Sequence, residues 1–351
     1  MIPYWTLFAL FAVGAIRQAP MELQFRRPGL GLKLALLAVA LLIGLRYRVG
    51  GDWRSYVDFL TKVEFRPLGD VVALSDPGYS VINWLVASAG LEIWAVNLLC
   101  GLIFVWGMWR LVRLQPEPWL CVLVAVPYII IVVAMGYTRQ AVALGLLMAA
   151  LASFQQKRIG QFALLVVIAV TFHRSAIVVL PIGLLSITRN RILIGVMLLA
   201  LAASLYSVFV ASEVDRLVRN YVTNPYASQG AAIRVGMSLP PALLFLVFRD
   251  RFGFDRDARK LWTNLAITSI LTAFVLALTS ASTAVDRLAL YLLPLQMVML
   301  CRLPLAFAKG DRDAQLIRAG VVIYLASVQF VWLNYAAYAH YWVPYQFYPL
   351  F

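Results

Sequence analysis

The sequence predicts an all-α polytopic membrane protein. Of its 351 residues, 63% are hydrophobic and only 13% are charged, whereas soluble domains are about half apolar and about a quarter charged. Apolar runs of the length needed to cross a bilayer recur from one end of the chain to the other. These two observations indicate a single integral membrane domain over residues 1–351, which we expect to be built from transmembrane helices.

The apolar runs predict about twelve transmembrane helices. We expect them near 2–16, 33–46, 91–109, 119–136, 138–154, 161–173, 175–187, 192–210, 231–248, 261–279, 286–303 and 316–334, with a re-entrant or interfacial segment at 78–90. Residues 2–16 resemble a signal peptide, but Arg17, Arg26 and Arg27 follow this run instead of preceding it, which favours a transmembrane helix.

The distribution of charge predicts the orientation. Segments assigned to one side hold 19 of the 30 basic and 7 of the 16 acidic residues, a net charge of +12, and the remainder carries +2. By the positive-inside rule the first side is cytoplasmic. Both termini, the loops near 46–78 and 211–230 and the aromatic tail 335–351 then lie outside, which in a bacterial inner membrane is the periplasmic side. The net charge of +14 therefore follows from topology, and no nucleic-acid partner is expected.

The basic residues of the outer side are almost all arginine. Ten of the eleven are Arg, and the other is Lys62. Topology does not require positive charge on this side, and a charge inside a span is costly. Arginine binds phosphate through a planar fork that lysine lacks, so the set points to a lipid-linked phosphate or pyrophosphate. The alternative is ion pairing with outer carboxylates and snorkelling to lipid headgroups.

Two outer motifs precede the central helices. "LRYRVGGDWRSYVDF" (45–59) places Asp52 between arginines and after Gly50-Gly51, where a backbone turn can approach an anion and an ionised carboxylate can act as a base. "SDPGYSVINWL" (75–85) has Asp76, then Pro at the first position of a helix and then Tyr79. Each motif also has a purely structural interpretation, as a salt-bridged interfacial loop or a packing segment.

Four further motifs carry polar or aromatic residues at the outer ends of spans. "GYTRQAVALG" (136–145) presents Tyr137, Arg139 and Gln140; "TFHRSAIVVLP" (171–181) breaks a span at His173-Arg174; "TAVDRLALYLLPL" (283–295) opens a helix with Asp286-Arg287 and Tyr291; and the tail contains Trp342 and Tyr345. Irregular backbone at membrane depth must be buried in protein or face water, so we expect the break to line an outward cavity. The tail is equally typical of an interfacial aromatic belt.

In this order the motifs resemble the EpsG family of Wzy-like polysaccharide polymerases, over nearly the whole chain. The resemblance rests on Arg48–Tyr56, Asp76-Pro77-Gly78-Tyr79, Arg139-Gln140, the His173-Arg174 break, Arg287 with Tyr291, and Trp342-x-Pro344-Tyr345. It implies a GT-C-like fold and an inverting glycosyltransferase that joins oligosaccharides carried on undecaprenyl pyrophosphate at the periplasmic face. It also makes a co-polymerase that regulates chain length an expected partner, beside the membrane lipid.

Roles for individual residues follow from that resemblance. We expect Arg48, Arg139, Arg174 and Arg287, with Arg234 as a fifth candidate, to bind the pyrophosphate, and Asp52 to be the first candidate for the base, followed by His173 and Asp286. We expect Asp76, Tyr79, Tyr137, Gln140, Tyr291, Trp342 and Tyr345 to contact the sugar or the acceptor. No phosphate-binding loop and no DxD metal and nucleotide-sugar motif is visible, so no metal or other cofactor is predicted.

Three other interpretations of the sequence stay open. An O-antigen-type ligase or a polyprenyl-phosphate-sugar glycosyltransferase would use a similar arginine-rich cavity with a different acceptor or donor. A flippase or transporter for a lipid-linked oligosaccharide should show internal repeats with paired broken helices, and no convincing repeat relates the two halves. A structural scaffold gives no reason for arginine and histidine within the spans.

Overall fold

The computed structural model describes residues 1–18, 28–188, 190, 192–196, 199, 231–278 and 282–350. Nearly all of this part of the chain is helical. In chain order the helices are α1 (Ile2–Ile16), α2 (Leu30–Gly44), α3 (Trp53–Val63), α4 (Leu68–Leu74), α5 (Pro77–Ser88), α6 (Ile93–Val112), α7 (Pro118–Ala125), α8 (Thr138–Gln155), α9 (Ile159–Phe172), α10 (Val179–Leu185), α11 (Ala231–Phe248), α12 (Arg256–Leu278), α13 (Ser282–Ala289), α14 (Leu293–Cys301), α15 (Leu303–Phe307) and α16 (Asp311–Tyr335).

The composition of these helices confirms a membrane-embedded all-α protein. Four helical stretches within the described residues are long and apolar enough to cross a bilayer: Ile93–Val112, Ala231–Phe252, Arg256–Leu278 and Asp311–Tyr335. Shorter apolar helices accompany them at Ile2–Ile16, Leu30–Gly44, Pro118–Ala134, Ile159–Phe172 and Arg174–Leu185. The total of about twelve crossings stays a prediction.

The centre of the bundle is formed by α6, α8 and α9, with α2 against α6. Two glycines allow the main chains of α6 and α8 to touch, because a Cβ at Gly107 would lie only 1.8 Å from the carbonyl oxygen of Gly145. Close backbone approach at small residues is a common way to pack helices within a membrane. Almost every side chain of α8 is buried, so α8 is a fixed support for the residues at its outer end.

Three helices are irregular. A π-helical stretch, Val126–Ala134, continues α7; a 3₁₀ turn, Arg174–Val178, separates α9 from α10; and another, Leu290–Leu292, separates α13 from α14. The break at His173-Arg174 was predicted and is confirmed. The helix predicted to open at Asp286 instead begins at Ser282 and is interrupted at Leu290, so Asp286 and Arg287 lie within its first segment.

The outer loop is more regular than the sequence predicted. Residues 46–78 contain the two helices α3 and α4, and α5 begins with Pro at its first turn, as expected. The short α3 is amphipathic, which hides it from a search for long apolar runs. The second predicted outer loop, 211–230, and most of the predicted helix 192–210 lie outside the described residues.

The C-terminal tail is fastened to the outer end of the bundle. Strand β1 (Arg46–Tyr47) pairs in antiparallel fashion with β2 (Gln346–Phe347). The indole N–H of Trp342 donates to the carbonyl of Ile131 at 2.8 Å, and its main-chain oxygen accepts the hydroxyl of Tyr4 at 2.6 Å. A Cβ at Gly136 would lie 2.3 Å from the Trp342 ring, so this tight fit requires glycine.

Replacing Gly136 with alanine should therefore destabilise the protein. The added methyl group overpacks the buried Trp342, which costs about 1–3 kcal/mol, and the change is measured as a fall in the unfolding temperature in detergent. The matched control is Gly320→Ala in α16, where a Cβ meets nothing within 4 Å and alanine is the better helix former. An unchanged unfolding temperature for Gly136→Ala would contradict this account of the tail.

Candidate functional site

Arg139 and Asp76 join two helices at the outer end of the bundle. Arg139 lies in the first turn of α8, and its guanidinium donates to Oδ2 of Asp76 at 3.0 Å and to Oγ of Ser75 at 3.2 Å. Asp76 immediately precedes α5. Because Arg139 is a planar fork on a rigid helix, this contact fixes the start of α5 against α8.

The start of α5 also lies against the end of α9. A Cβ at Gly78 would be 2.6 Å from Oγ1 of Thr171 and would meet the Phe172 ring, so the absence of a side chain allows the contact. Helix α9 ends at Phe172, and His173 is extended, with φ −160° and ψ 116°. Arg174 then begins the 3₁₀ turn with an exposed side chain and acts electrostatically on Asp76.

A polar chain behind the arginines links α8, α9 and α13. The hydroxyl of Tyr291 and Nδ1 of His173 form a hydrogen bond of 2.8 Å. The side-chain amide of Gln140 donates to the main-chain oxygen of Arg287 at 3.3 Å and also interacts with Tyr291. These contacts hold the two broken helices at fixed positions relative to α8.

Asp52 lies beside the same arginines, in the loop that precedes α3. Arg139 and Arg287 both act on its carboxylate, and the hydroxyl of Tyr56, one helical turn further on, donates to Oδ2 at 3.5 Å. Burial raises the pKa of Asp52 above its ordinary value, while Arg139, Tyr56 and Arg287 oppose that shift. The carboxylate is therefore a stronger base than an exposed aspartate.

The outer arginine cluster thus consists of Arg139, Arg174, Arg287, Asp52, Asp76, His173 and Tyr291. Arg139 and Arg287 also act on His173, so the residues surround one region. Arg174 and Arg287 are exposed, and within the described part of the chain neither side chain has an ion pair or a hydrogen bond. Two guanidinium groups are therefore available to an anion that approaches this end of the bundle.

Arg234 and Asp286 form a second pair at the border of this cluster. Arg234 donates from Nε and Nη2 to the two carboxylate oxygens of Asp286. Tyr128 and Tyr137 lie beside the pair, and Tyr137 interacts both with it and with Asp52. Because both oxygens of Asp286 already accept hydrogen bonds, Asp52 is the better placed carboxylate to receive a proton.

The structure places four other predicted site residues outside the cluster or under other side chains. Arg48 is exposed with its guanidinium 5.1 Å from the Tyr47 ring centroid. Tyr79 is buried against Phe59. Trp342 is buried with its N–H bonded to the main chain, and the hydroxyl of Tyr345 donates to the Leu42 carbonyl at 2.8 Å. The roles predicted for these four residues stay predictions.

Two contacts within the cluster come from residues that the sequence analysis did not place in the site. Ser75 accepts a hydrogen bond from Arg139, and Tyr56 contacts Asp52. The spacing of Asp52 and Tyr56 is the one signal that could have indicated the second contact, since residues four apart face each other once α3 is recognised as a helix.

Two buried arginines at the opposite end of the bundle are engaged within the protein. Arg318 forms a buried ion pair with Glu117, with a shortest distance of 2.6 Å. Arg302 donates to the side chain of Gln115 at 2.9 Å and to the carbonyl of Phe252 at 2.7 Å. These residues stabilise the packing of their own end, whereas Arg174 and Arg287 have no such partner in the described residues.

Comparison with known proteins gives one match. No curated protein and no solved structure matches the chain. The model of the EpsG family matches residues 32–347 and so covers most of the 351 residues. This family is associated with polysaccharide biosynthesis and with polymerases of the glycosyltransferase kind. The chain therefore belongs to the EpsG family.

Proposed function

We propose that this protein is a polysaccharide polymerase that joins oligosaccharide repeat units carried on undecaprenyl pyrophosphate. The observation that carries the proposal is that Arg174 and Arg287 are exposed, have no ion pair in the described residues, and each act on a carboxylate on which Arg139 also acts. Three guanidinium groups from three separate segments suit a pyrophosphate better than a monovalent anion, because each can donate two parallel hydrogen bonds.

The proposed glycosyl transfer requires positive charge around the leaving pyrophosphate. An acceptor hydroxyl oxygen attacks the anomeric carbon of the donor sugar and forms the new glycosidic bond. The bond from that carbon to the phosphate oxygen breaks, and undecaprenyl pyrophosphate leaves with the electron pair. Arginines held in advance around the leaving oxygens stabilise the charge that grows on them. Displacement at one face inverts the anomeric configuration.

Asp52 is the proposed general base. It takes the proton of the acceptor hydroxyl as the new bond forms. Its support is twofold: burial raises the pKa of this carboxyl, and its one hydrogen bond from Tyr56 is long, at 3.5 Å. His173, whose Nδ1 is hydrogen-bonded to Tyr291, is then a positioning residue for α9 and α13. Asp76 is likewise a positioning residue, which holds Arg139.

The proposal includes a bacterial inner membrane with the site and both termini on the periplasmic side, and a co-polymerase as partner.

A ligase of the O-antigen type would use the same leaving group with a different acceptor. A transporter of the lipid-linked oligosaccharide is favoured less, because a transporter should show internal repeats with paired broken helices, and no convincing repeat relates the two halves of the sequence.

Purified protein in nanodiscs should convert a synthetic undecaprenyl-pyrophosphate repeat unit into a ladder of longer glycans, without added metal or nucleotide. Arg287→Lys and Arg174→Lys should each lower the coupling rate about 10²–10³-fold, because lysine keeps the charge and loses the fork. The rates are measured from the ladder on gels. The unfolding temperature should not change, since neither side chain has a structural partner in the described residues.

The matched control is Arg54→Lys, an exposed arginine of α3, which should polymerise at the wild-type rate. If the wild-type protein only moves intact lipid across the bilayer, the protein is a transporter. If Arg174→Lys, Arg287→Lys and Arg54→Lys all give the same coupling rate, the assignment of Arg174 and Arg287 to pyrophosphate binding is wrong.

Asp52→Asn should lower the coupling rate about 10²–10⁴-fold, the usual contribution of a general base. The wild-type rate should fall as the pH falls through the raised pKa of Asp52, because only the carboxylate accepts a proton. The residual rate of Asp52→Asn should lack this acidic fall. The control is Asp58→Asn, at an exposed aspartate of α3, the helix that follows Asp52. An unaltered pH profile in Asp52→Asn would exclude Asp52 as the base.

A further inference from the structure

Three aromatic side chains of the C-terminal tail lie exposed beside the loop that carries Asp52. Tyr338 is 50% and Tyr341 45% exposed, and His340 is exposed between them in sequence. The rings of Tyr338 and Tyr341 are nearly parallel, with an interplanar angle of 18° and centroids 6.3 Å apart. The His340 ring lies 4.1 Å from that of Tyr341. We call these three residues the tail platform.

The tail platform has a fixed position relative to Asp52. The main-chain oxygen of Tyr341 accepts the N–H of Gly50 at 2.9 Å. A Cβ at Gly51 would lie 3.9 Å from Cδ2 of Tyr341, so no side chain stands between the ring and the residue before Asp52. The neighbouring Trp342 is buried and hydrogen-bonded to the main chain of Ile131, so it anchors this part of the tail to the bundle.

We propose that the tail platform is a glycan-binding subsite that holds sugars of the growing chain next to the site of transfer. This inference rests on the proposed function. Pyranose rings present C–H groups on their faces, and these suit the electron-rich faces of aromatic rings. Nδ1 of His340 lies 3.0 Å from the carbonyl oxygen of Ala337, and its Nε2 and the two tyrosine hydroxyls are groups that can form hydrogen bonds with sugar hydroxyls.

An aromatic belt for lipid headgroups is the competing explanation for exposed tyrosines at a membrane surface. A belt requires amphipathic side chains and sets no demand on their relative orientation. The near-parallel rings of Tyr338 and Tyr341 and the contact of Tyr341 with the Asp52 loop favour a sugar chain that reaches the reacting centre. Tyr335, 74% exposed at the end of α16, is the matched tyrosine outside the platform.

The test compares a double variant, which carries both Tyr338→Leu and Tyr341→Leu, with the single variant Tyr335→Leu. All proteins are measured in nanodiscs. Leucine keeps an apolar side chain and removes the flat ring. The ligands are fluorescently labelled oligosaccharides released by mild acid from the polysaccharide that the host secretes, and binding is measured by equilibrium dialysis. The double variant should bind them about tenfold more weakly, and Tyr335→Leu should bind like the wild type.

Polymerisation gives the second readout. In the ladder assay the double variant should couple the first two units at close to the wild-type rate and then release chains that are several-fold shorter on average. Wild-type affinity and wild-type chain length in the double variant would overturn the subsite. If the platform variant loses oligosaccharide binding while the wild type forms no ladder, the subsite stands and the proposed polymerase function fails.

Discussion

The contact between Arg139 and Asp76 is the interaction on which the candidate site depends. It connects the buried α8 to the start of α5, and Gly78 brings that start against the end of α9. The irregular backbone at His173 is thereby packed against α5, and burial within the protein is one condition under which non-helical backbone is tolerated at membrane depth. Arg174 and Arg287 lie near this contact, since Arg174 acts on Asp76 and Arg287 acts together with Arg139 on Asp52.

This arrangement separates the arginines that hold the fold together from those that remain available to a ligand. Arg46 is buried and hydrogen-bonded to Asn97 and Thr138, and Arg318 is buried in an ion pair. Arg174 and Arg287 have exposed side chains. In the proposed function these exposed cations stabilise the charge that develops on the anionic leaving group, which is the main source of electrostatic catalysis.

Much of the fold and the positions of most candidate residues could be predicted from the sequence. Apolar length indicated most helices, and the cost of an intramembrane charge singled out Arg174 and Arg287. Tertiary contacts could not be predicted in the same way. The sequence does not show that Asp286 pairs with Arg234, or that Trp342 is buried while Tyr338 and Tyr341 are exposed. Both depend on contacts between residues far apart in the chain, such as that of Trp342 with Gly136.

The central claim is that the outer arginine cluster binds a lipid-linked pyrophosphate. A cryo-electron microscopy structure of the protein with undecaprenyl pyrophosphate in nanodiscs tests it most directly. The account predicts phosphate oxygens within hydrogen-bond distance of Arg139, Arg174 and Arg287, with the terminal phosphate, to which the donor sugar was bonded, directed toward Asp52. A pyrophosphate bound at the opposite end, near Arg302 and Arg318, would contradict it.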